Sequence, residues 1–210
     1  METKKVSNNM LARMPVYLNY IKTLPESTKN ISATKIASAL GLGEVSVRKD
    51  LAKVSDGGRC KLGYPCKELI HDIETFLGIK KSLDAVAAGK TDLLQVLLTF
   101  EGFENVGLNV LAAFDINASE SGSMGEKPIY PMEKLKSFCK EKDVSIGIIM
   151  STVEDAQEIC DQLVESGVEG IWNFTPVHLK VPDHVVLQNE SFTASITKLR
   201  MQLNEKKAVS

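Results

Sequence analysis

The chain has 210 residues, 43% of them hydrophobic and 25% charged, which is typical of a globular protein with one large or two small domains. No apolar run approaches the roughly 18 residues that a membrane span needs, and the opening letters METKKVSNNM lack the apolar core of a signal peptide. We therefore expect a cytoplasmic protein without a membrane partner.

The formal net charge of −2 is unevenly distributed along the chain. Residues 1–78 contain 12 basic and 8 acidic residues, a balance of +4, whereas residues 79–210 contain 13 basic and 19 acidic residues, a balance of −6. This asymmetry indicates two functional halves, of which the first suits an anionic partner.

The cysteines and histidines do not have the spacing of a metal site. The four cysteines lie far apart without a CxxC pair, so the sequence predicts no zinc site, no other metal and no disulfide framework. Cys60 and Cys66 share one glycine-rich segment, where a redox-active pair is the alternative to two unpaired thiols.

Three helices are predicted in the first half. Apolar side chains recur at helical spacing over residues 10–24, before the letters PES break the pattern. A second helix follows Ser32, a good N-cap, and stops at Gly41. A third runs from about Glu44 to Val54 after a short GLG turn. Two short helices joined by a tight glycine-containing turn are typical of a helix-turn-helix.

The last of these three helices, the recognition helix of the motif, offers candidate contacts with DNA. Its apolar residues recur at spacings of four and three, which turns its polar and basic residues towards other faces. Small polar side chains approach base edges, and Arg and Lys reach guanine edges or phosphates. Residues 55–64, glycine-rich and basic, predict a β-hairpin wing. The candidate DNA-binding residues are Ser46, Arg48, Lys49 and Lys53 on the helix, with Arg59 and Lys61 on the wing. The alternative is a helical hairpin that only packs.

The second half alternates strand and helix patterns, which predicts βαβ units and a doubly wound parallel sheet in a Rossmann-like α/β domain. The predicted strands are 84–88, 108–114, 144–150, 169–174 and 185–188, and the helices between them are 93–100, 132–142 and 153–166. A last helix over 191–204 carries an apolar stripe, which packs either on its own domain or on a partner subunit.

Longer motifs extend over most of the chain. The letters ISATKIASALGLGEVSVRKDLAKVSDGGRCKLGY, VLAAFDIN, VSIGIIM and PVHLKVPDHVVLQNESF closely resemble the Rex family of bacterial redox-sensing transcriptional repressors. The resemblance covers residues 15–203. It implies a winged-helix DNA-binding domain over 1–78, a Rossmann-like domain over 79–190, and a C-terminal dimerisation helix and tail over 191–210, with the helix exchanged between protomers.

The resemblance also implies a function. Members of the family bind a pseudo-palindromic double-stranded DNA operator as homodimers, take NADH or NAD as a ligand, and release DNA when the NADH/NAD ratio is high. A polar network couples the two events. Its arginine matches Arg13, whereas Phe100 and Ser191 stand where family members usually have Tyr and Asp.

The stretch DAVAAGKTDLLQVLL, residues 84–98, lies where the family reads close to VGAGxLGRALL. Gly89 is retained, but Ala87 and Asp92 replace the other two glycines, or Leu94 the last one if a gap is allowed, so the NAD(H) motif is degenerate. Thr91 or Asp92 is expected to cap the following helix and so compete with a pyrophosphate for its N–H groups. The GKT letters fail as a P-loop, because its first glycine would fall at Asp84.

A second candidate contact with a dinucleotide lies 26 residues beyond Gly89, where Asp115 ends a predicted strand. Rossmann domains commonly place a ribose-binding acid there, although a turn-forming role is the alternative. The candidate cofactor-binding residues are Ala87, Ala88, Gly89, Lys90, Asp92 and Asp115.

Three functions remain open at this point. The first is a redox-responsive repressor, and the second is a paralogue that binds operator DNA but has lost or altered NAD(H) sensing. The third, an NAD-dependent oxidoreductase, is disfavoured because no His, Lys or Tyr is placed as an evident acid or base. We therefore predict no catalytic residues and no enzyme activity.

Overall fold

The computed structural model describes residues 6–100 and 102–209. These form two compact units that divide between Lys81 and Ser82. The sequence placed the boundary slightly earlier, between residues 78 and 79. Each unit has its own hydrophobic core, so the two are described in turn.

The first unit is a helical bundle with a small antiparallel sheet, and it contains the predicted helix-turn-helix. Its helices are α1 (Asn8–Lys22), α2 (Ala33–Leu40), α3 (Glu44–Val54) and α4 (Cys66–Leu77), and its strands are β1 (Asn30–Ile31) and β2 (Tyr64–Pro65).

Local signals explain where the helices of the motif begin and end. The Ser32 side chain accepts a hydrogen bond from the Lys35 backbone N–H at 3.1 Å, which caps α2. Gly41 ends that helix in the left-handed conformation, with φ of 64°. The bounds of α3 are those predicted, Glu44–Val54.

The predicted wing differs from a regular hairpin. Arg59 and Gly63 exchange two backbone hydrogen bonds of 2.9 Å, which close a tight loop with Lys61 at φ of 66°. The strand that follows, β2, pairs with β1, which precedes the helix-turn-helix in the sequence. The hairpin predicted within residues 55–64 is therefore reduced to one antiparallel bridge, and the strand that pairs with β2 is β1, which lies far away in sequence.

The second unit is built on a seven-stranded sheet in the order β5-β6-β4-β3-β7-β8-β9. All strands except β5 run parallel to their neighbours. The strands are β3 (Leu83–Gly89), β4 (Leu108–Asp115), β5 (Gly122–Met124), β6 (Lys127–Pro131), β7 (Ile146–Met150), β8 (Gly170–Asn173) and β9 (Val186–Asn189). The strand order reverses at β3, so the crevice between β3 and β7 is the topological switch point of a doubly wound fold.

The five predicted strands are present, and the β5–β6 hairpin was missed. Its strands are short, and prolines at positions 128 and 131 obscure the strand pattern of β6. The helices of this unit are α5 (Thr91–Leu98), α6 (Leu135–Lys142), α7 (Ala156–Glu165) and α8 (Phe192–Val209), and short 3-10 turns span Glu104–Val106 and Met132–Lys134.

The two faces of the sheet pack differently. On one face, Val86, Ala88 and Phe114 pack in a core with residues of α6 and α7. On the other face, Ala85 and Ala87 pack with leucines of α5. The apolar stripe predicted on the last helix is exposed: the exposed fractions run from 49% to 69% for Phe192, Ile196, Leu199 and Leu203, and Met201 of the same helix is 60% exposed.

Candidate nucleic-acid interface and dinucleotide site

Helix α3 has one buried face and one exposed face. Val47 and Leu51 are fully buried in the core of the first unit, and they hold the helix in place. The four candidate DNA-binding side chains of the helix are exposed, as the apolar spacing predicted: Ser46, Arg48, Lys49 and Lys53. The helix therefore presents a small hydroxyl and three cations to solvent.

The guanidinium of Arg48 is paired with Glu44 one turn earlier on the same helix. Both side chains are largely exposed, and such a pair contributes only about 0.3–0.5 kcal/mol. Arg48 can therefore exchange Glu44 for a base edge or a phosphate at little cost.

A cleft of about 450 Å³ lies beside α3 and the wing loop. Arg59 and Lys61 are exposed and line it together with Arg48, and no acidic residue is among the described residues of its wall. The other lining residues come from the start of α2 and from the loop itself: Ser32, Ala33, Thr34, Gly58, Cys60, Gly63 and Tyr64. Backbone N–H groups at a helix start and nearby cations both favour phosphates.

The two cysteines of this region do not form a pair. Cys60 is exposed on the loop and Cys66 is buried at the start of α4, and both are free thiols. Burial raises the pKa of the Cys66 thiol, which disfavours the reactive thiolate.

Arg13, a predicted coupling residue, has charged and polar partners within the first unit. Its Nη2 and Nε atoms lie 2.6 Å and 2.8 Å from Oδ2 of Asp50 on α3. The Tyr17 hydroxyl donates to the same oxygen at 3.0 Å. The hydrogen bond between Arg13 and Asp50 raises the pKa of Arg13. Burial is the largest cause that raises the pKa of Tyr17, and the hydrogen bond between Tyr17 and Asp50 raises it further.

The sequence alone did not single out Asp50. It lies three residues after Val47 and directly before Leu51, at the edge of the buried face of α3. An acidic residue at such a position is the sequence feature that could have identified it. Its side chain is 8% exposed. A buried carboxylate at that position requires a partner, and the partner is a cation on α1.

The other two predicted coupling residues lie in the second unit. Phe100 is 56% exposed and packs edge-on against Phe103, with 4.8 Å between ring centroids. The Ser191 hydroxyl accepts the backbone N–H of Ala194 at 3.0 Å at the start of α8. Neither side chain carries the phenol or carboxylate that the sequence resemblance implies at these positions.

The degenerate dinucleotide turn is short and closely packed. Strand β3 continues through Gly89, and Lys90 alone separates it from α5. A Cβ atom on Gly89, whose φ is 151°, would lie 1.9 Å from the Met150 carbonyl oxygen of β7. The Lys90 backbone N–H donates to that same carbonyl at 3.2 Å. Ala87 and Ala88 are fully buried and belong to the cores on opposite faces of the sheet.

This geometry decides how well a dinucleotide fits. In the three-glycine fingerprint, the backbone of the turn approaches the pyrophosphate closely. Here the space beside Gly89 and the N–H of Lys90 are both taken by the Met150 carbonyl. That carbonyl belongs to the neighbouring strand β7, so it explains why residue 89 must be glycine. The turn departs from the fingerprint at Ala87 and Asp92, which stand at its other two glycine positions.

The predicted helix cap at this turn was wrong. The N-cap position of α5 is Lys90, which makes no side-chain capping hydrogen bond, and Asp92 is an exposed residue inside the first turn. The helix begins earlier than predicted because the strand runs straight into it. The side chain of Thr91 lies outside the described part of the chain.

Lys90 brings a cation to the carboxyl edge of the sheet. Its Nζ atom lies 3.5 Å from Oδ2 of Asp155 at the start of α7, and both side chains are partly exposed. The Thr152 hydroxyl donates to the same oxygen at 2.6 Å. This ion pair links the end of β3 to the helix that follows β7, across the switch point.

Asp115 lies at the carboxyl end of β4. It is the last residue of β4, lies opposite Gly89 of the parallel strand β3, and is 5% exposed. Its Oδ1 accepts the Asn117 backbone N–H at 2.8 Å, so it also forms the turn that was the alternative. No second hydrogen bond to this carboxylate occurs among the described residues, so Oδ2 retains its capacity to accept one.

Residues 6–100 and 102–209 contain neither a metal-binding cluster nor a membrane-spanning helix. Within these ranges no three His, Cys, Asp or Glu side chains come together as a metal site. In the same ranges no helix has both the length and the apolar character of a membrane span.

Comparisons with known proteins agree with both units. Residues 5–52 match the family model described as putative DNA-binding protein N-terminus, and residues 80–177 match the CoA binding domain. The redox-sensing transcriptional repressor Rex of Clostridium perfringens is 34% identical over 207 residues, covering 97% of this chain and 98% of that protein. The Rex protein of Treponema denticola is 36% identical over 197 residues, covering 93% and 94%.

Solved structures show the same relationship. The crystal structure of RSP in complex with β-NAD⁺ and operator DNA has a TM-score of 0.86 and 30% identity, covering 99% of this chain and 96% of that one. RSP in complex with β-NADH has a TM-score of 0.83 and 29% identity, covering 99% and 98%. RSP is a Rex-family repressor.

Fold and site define a two-domain transcription regulator, with a winged helix-turn-helix and a Rossmann-like sheet. The chain belongs to the Rex family of redox-sensing transcriptional repressors. The resemblance inferred from the sequence motifs is thereby confirmed.

Proposed function

We propose that the protein is a transcriptional repressor that binds double-stranded operator DNA as a homodimer and responds to the cellular NADH/NAD redox state. The observation that carries this proposal is the exposed basic surface formed by α3 and the wing loop, with the cleft between them. The complex of RSP with β-NAD⁺ and operator DNA supports it.

The residues of that surface have different roles. Ser46, Arg48 and Lys49, near the start of the recognition helix, contact base edges, which carry the sequence information. Cations further from the groove floor bind phosphates and add affinity without specificity. These are Lys53 at the end of α3, and Arg59 and Lys61 on the wing loop.

The homodimer follows from α8. Five large apolar side chains of this helix are about half exposed or more, which a soluble monomer rarely tolerates on one element. Packing of α8 on a second copy buries them, and a two-fold dimer matches a pseudo-palindromic operator with two half-sites.

NAD(H) is the regulatory ligand in this proposal. Asp115 accepts a hydrogen bond from the ribose, and residues 87–92 form the neighbouring wall, including Ala87, Ala88, Gly89, Lys90 and Asp92. Arg13, Phe100 and Ser191 connect ligand state to DNA release. The Asp115 position beside Gly89 supports the ribose contact.

A second candidate function keeps operator binding but alters nucleotide recognition. The specific observation in its favour is the turn after β3, in which Ala87 and Asp92 stand at two of the three glycine positions of the dinucleotide fingerprint. In this case the repressor binds NAD(H) weakly, not at all, or takes another ligand at the same crevice.

We infer no catalytic role and a cytoplasmic location. The relatives are named as repressors, and Lys90, which follows Gly89 at the same edge of the sheet as Asp115, is paired with Asp155. The oxidoreductase alternative predicts turnover of NADH with small carbonyl substrates, and a spectrophotometric assay of NADH loss tests it directly.

The main test has two arms, both with the full chain. Fluorescence anisotropy at one fixed salt concentration compares the operator of a Rex-family relative with a scrambled duplex, and we expect at least a 10³-fold preference for the operator. Calorimetric titration with NADH, NAD⁺ and coenzyme A measures ligand binding. Equal affinity for both duplexes would refute operator recognition. Binding of coenzyme A but not NADH would favour the second candidate.

A further inference from the structure

Two hydrogen bonds and an ion pair from α1 converge on one carboxylate oxygen of the recognition helix. Arg13 contributes Nη2 and Nε, at 2.6 Å and 2.8 Å, and Tyr17 contributes its hydroxyl at 3.0 Å, all to Oδ2 of Asp50. Arg13 Nε also donates to the Tyr17 oxygen at 3.1 Å. We call these three residues the α1–α3 polar cluster.

The α1–α3 polar cluster adds direction to an otherwise apolar contact. Val47 and Leu51 bury α3 in the same core as Met14 and Leu18 of α1. Apolar burial is not directional, so it tolerates small rotations of a helix about its axis. Charge-assisted hydrogen bonds weaken steeply when their distances and angles change, so they select one orientation.

We propose that Asp50 is a positioning residue for DNA reading: through Arg13 and Tyr17 it fixes the rotation of α3, and thereby sets which side chains meet the base edges. Asp50 does not itself touch DNA in this proposal. The inference rests on the proposed operator binding, and it concerns specificity within that function.

The geometry of a helix shows why a small rotation matters. Lys49 directly precedes Asp50, and Arg48 lies one residue earlier, so both turn with it. Side-chain ends lie about 5–6 Å from a helix axis, so a rotation of about 20° displaces them by about 2 Å. Hydrogen bonds to base edges are lost over such a distance, whereas contacts of long side chains with phosphates adapt.

The same unit contains a matched control. Lys22, also on α1, pairs with Glu74 of α4 at 2.8 Å. This ion pair joins α1 to a helix other than the recognition helix. Breaking it removes a short ion pair from the same helix but leaves α3 without a direct change.

The test compares Asp50→Asn with Glu74→Gln in the full chain, by anisotropy with operator and scrambled duplexes over a range of salt concentrations. We expect Asp50→Asn to weaken operator binding about tenfold, with an unchanged salt slope and a smaller operator-to-scrambled ratio. Glu74→Gln changes none of these quantities. An unchanged salt slope means that the number of phosphate contacts is preserved, so only the reading of bases is affected.

Two further variants keep the proposal testable if Asp50→Asn does not fold. Tyr17→Phe retains the ring in the core and removes one donor, and we expect a loss of operator affinity of about twofold to fivefold. Combining it with Arg13→Lys is expected to cost less than the two separate losses multiplied, because both act through the same oxygen.

The outcomes separate this inference from the function on which it rests. If the unmodified protein does not prefer the operator, operator binding itself fails. If the unmodified protein prefers the operator and the folded Asp50→Asn or Tyr17→Phe variants keep the same ratio, the positioning role is overturned. A fall in affinity for both duplexes alike, or an equal effect of Glu74→Gln, also overturns it.

Discussion

In the first unit, the side chains that project from α3 are exposed and positively charged, whereas in the second unit the turn after β3 is packed against a neighbouring strand. Arg48 and Lys49 stand free of the core, and Gly89 lies in contact with the Met150 carbonyl. Both are the places where a Rex-family protein would meet its ligands. The first is open to solvent, and the second departs from the three-glycine fingerprint at two positions, Ala87 and Asp92.

The difference reflects how each surface is built. A DNA-reading helix uses side chains on a rigid element, so substitutions elsewhere leave it intact. A diphosphate turn uses backbone N–H groups and the absence of Cβ atoms, so the replacement of two glycines changes its shape. DNA recognition is therefore expected to be strong and nucleotide recognition to be weakened.

The largest effect is expected from Arg48→Ala on the DNA side of this comparison. Loss of a base contact costs about 1–3 kcal/mol, so operator affinity falls roughly 5- to 150-fold while scrambled DNA loses less. Anisotropy at fixed salt measures both, and Lys136→Ala on an exposed site of α6 is the control for loss of one cation. A uniform loss for both duplexes would assign Arg48 to a phosphate instead.

On the nucleotide side, Asp115→Asn is expected to weaken NADH binding by about tenfold. The amide oxygen keeps the turn with Asn117 but loses the charge that strengthens a bond to a ribose hydroxyl. Calorimetry gives the dissociation constants. Asp84→Asn is the control. The Asp84 carboxylate on β3 accepts a hydrogen bond from the Asn109 amide at 2.9 Å and lies away from the carboxyl edge of the sheet. Equal NADH affinity in Asp115→Asn and the unmodified protein would exclude this contact.

Alkaline pH should destabilise the second unit through its buried thiols. Burial raises the pKa of Cys139 and of Cys160 from 9.0 to about 11. The unfolded chain then loses its thiol protons first, so stability is retained below pH 9 and falls as the pH rises towards 11. We expect a loss of about 1 kcal/mol per thiol, by urea unfolding at pH 8 and pH 11. Cys139→Ala and Cys160→Ala should each reduce the difference in unfolding free energy between pH 8 and pH 11. An unchanged difference in both variants would contradict the role of the buried thiols.

A smaller loss of DNA affinity, independent of the DNA sequence, is expected for a variant of the wing loop. Lys61→Ala removes one phosphate contact, so binding of every duplex weakens by a similar factor and the salt slope falls by about 1. A series of anisotropy titrations at increasing salt measures the slope. A loss confined to the operator would mean that Lys61 reads bases.

The smallest effect is expected from Asp92→Asn at the start of α5. Removing a negative charge from the first turn favours an anionic ligand there by about 0.3–1 kcal/mol, so NADH binds roughly two- to fivefold more tightly. Glu158→Gln in the first turn of α7 is the matched control. Weaker NADH binding by Asp92→Asn would show that the carboxylate contributes to the site.

Local signals explain how much of this structure the sequence predicted. The Ser32 cap, the Gly41 stop and the spacing of Val47 and Leu51 depend on neighbours in sequence, and they placed α2 and α3 correctly. The parallel strands were found because they are short apolar runs. Features that depend on distant residues were missed, such as the bond of Asp50 to Arg13 and the pairing of β2 with β1.

The turn after β3 combines both cases. The loss of two glycines was visible in the sequence, and so was the position of Asp115 at the end of a strand. The contact of Gly89 with the Met150 carbonyl was not, because it joins residues on different strands. The predicted helix cap failed for the same reason: the strand continues to Gly89 through its pairing with β7.

The most direct test of the whole account is release of operator DNA by nucleotide. The full-length protein is bound to a labelled operator and titrated with NADH or NAD⁺ at one salt concentration, up to levels at which calorimetry shows saturation. We predict that NADH releases the operator and that NAD⁺ does not. Retention of the operator by protein saturated with NADH would contradict the account.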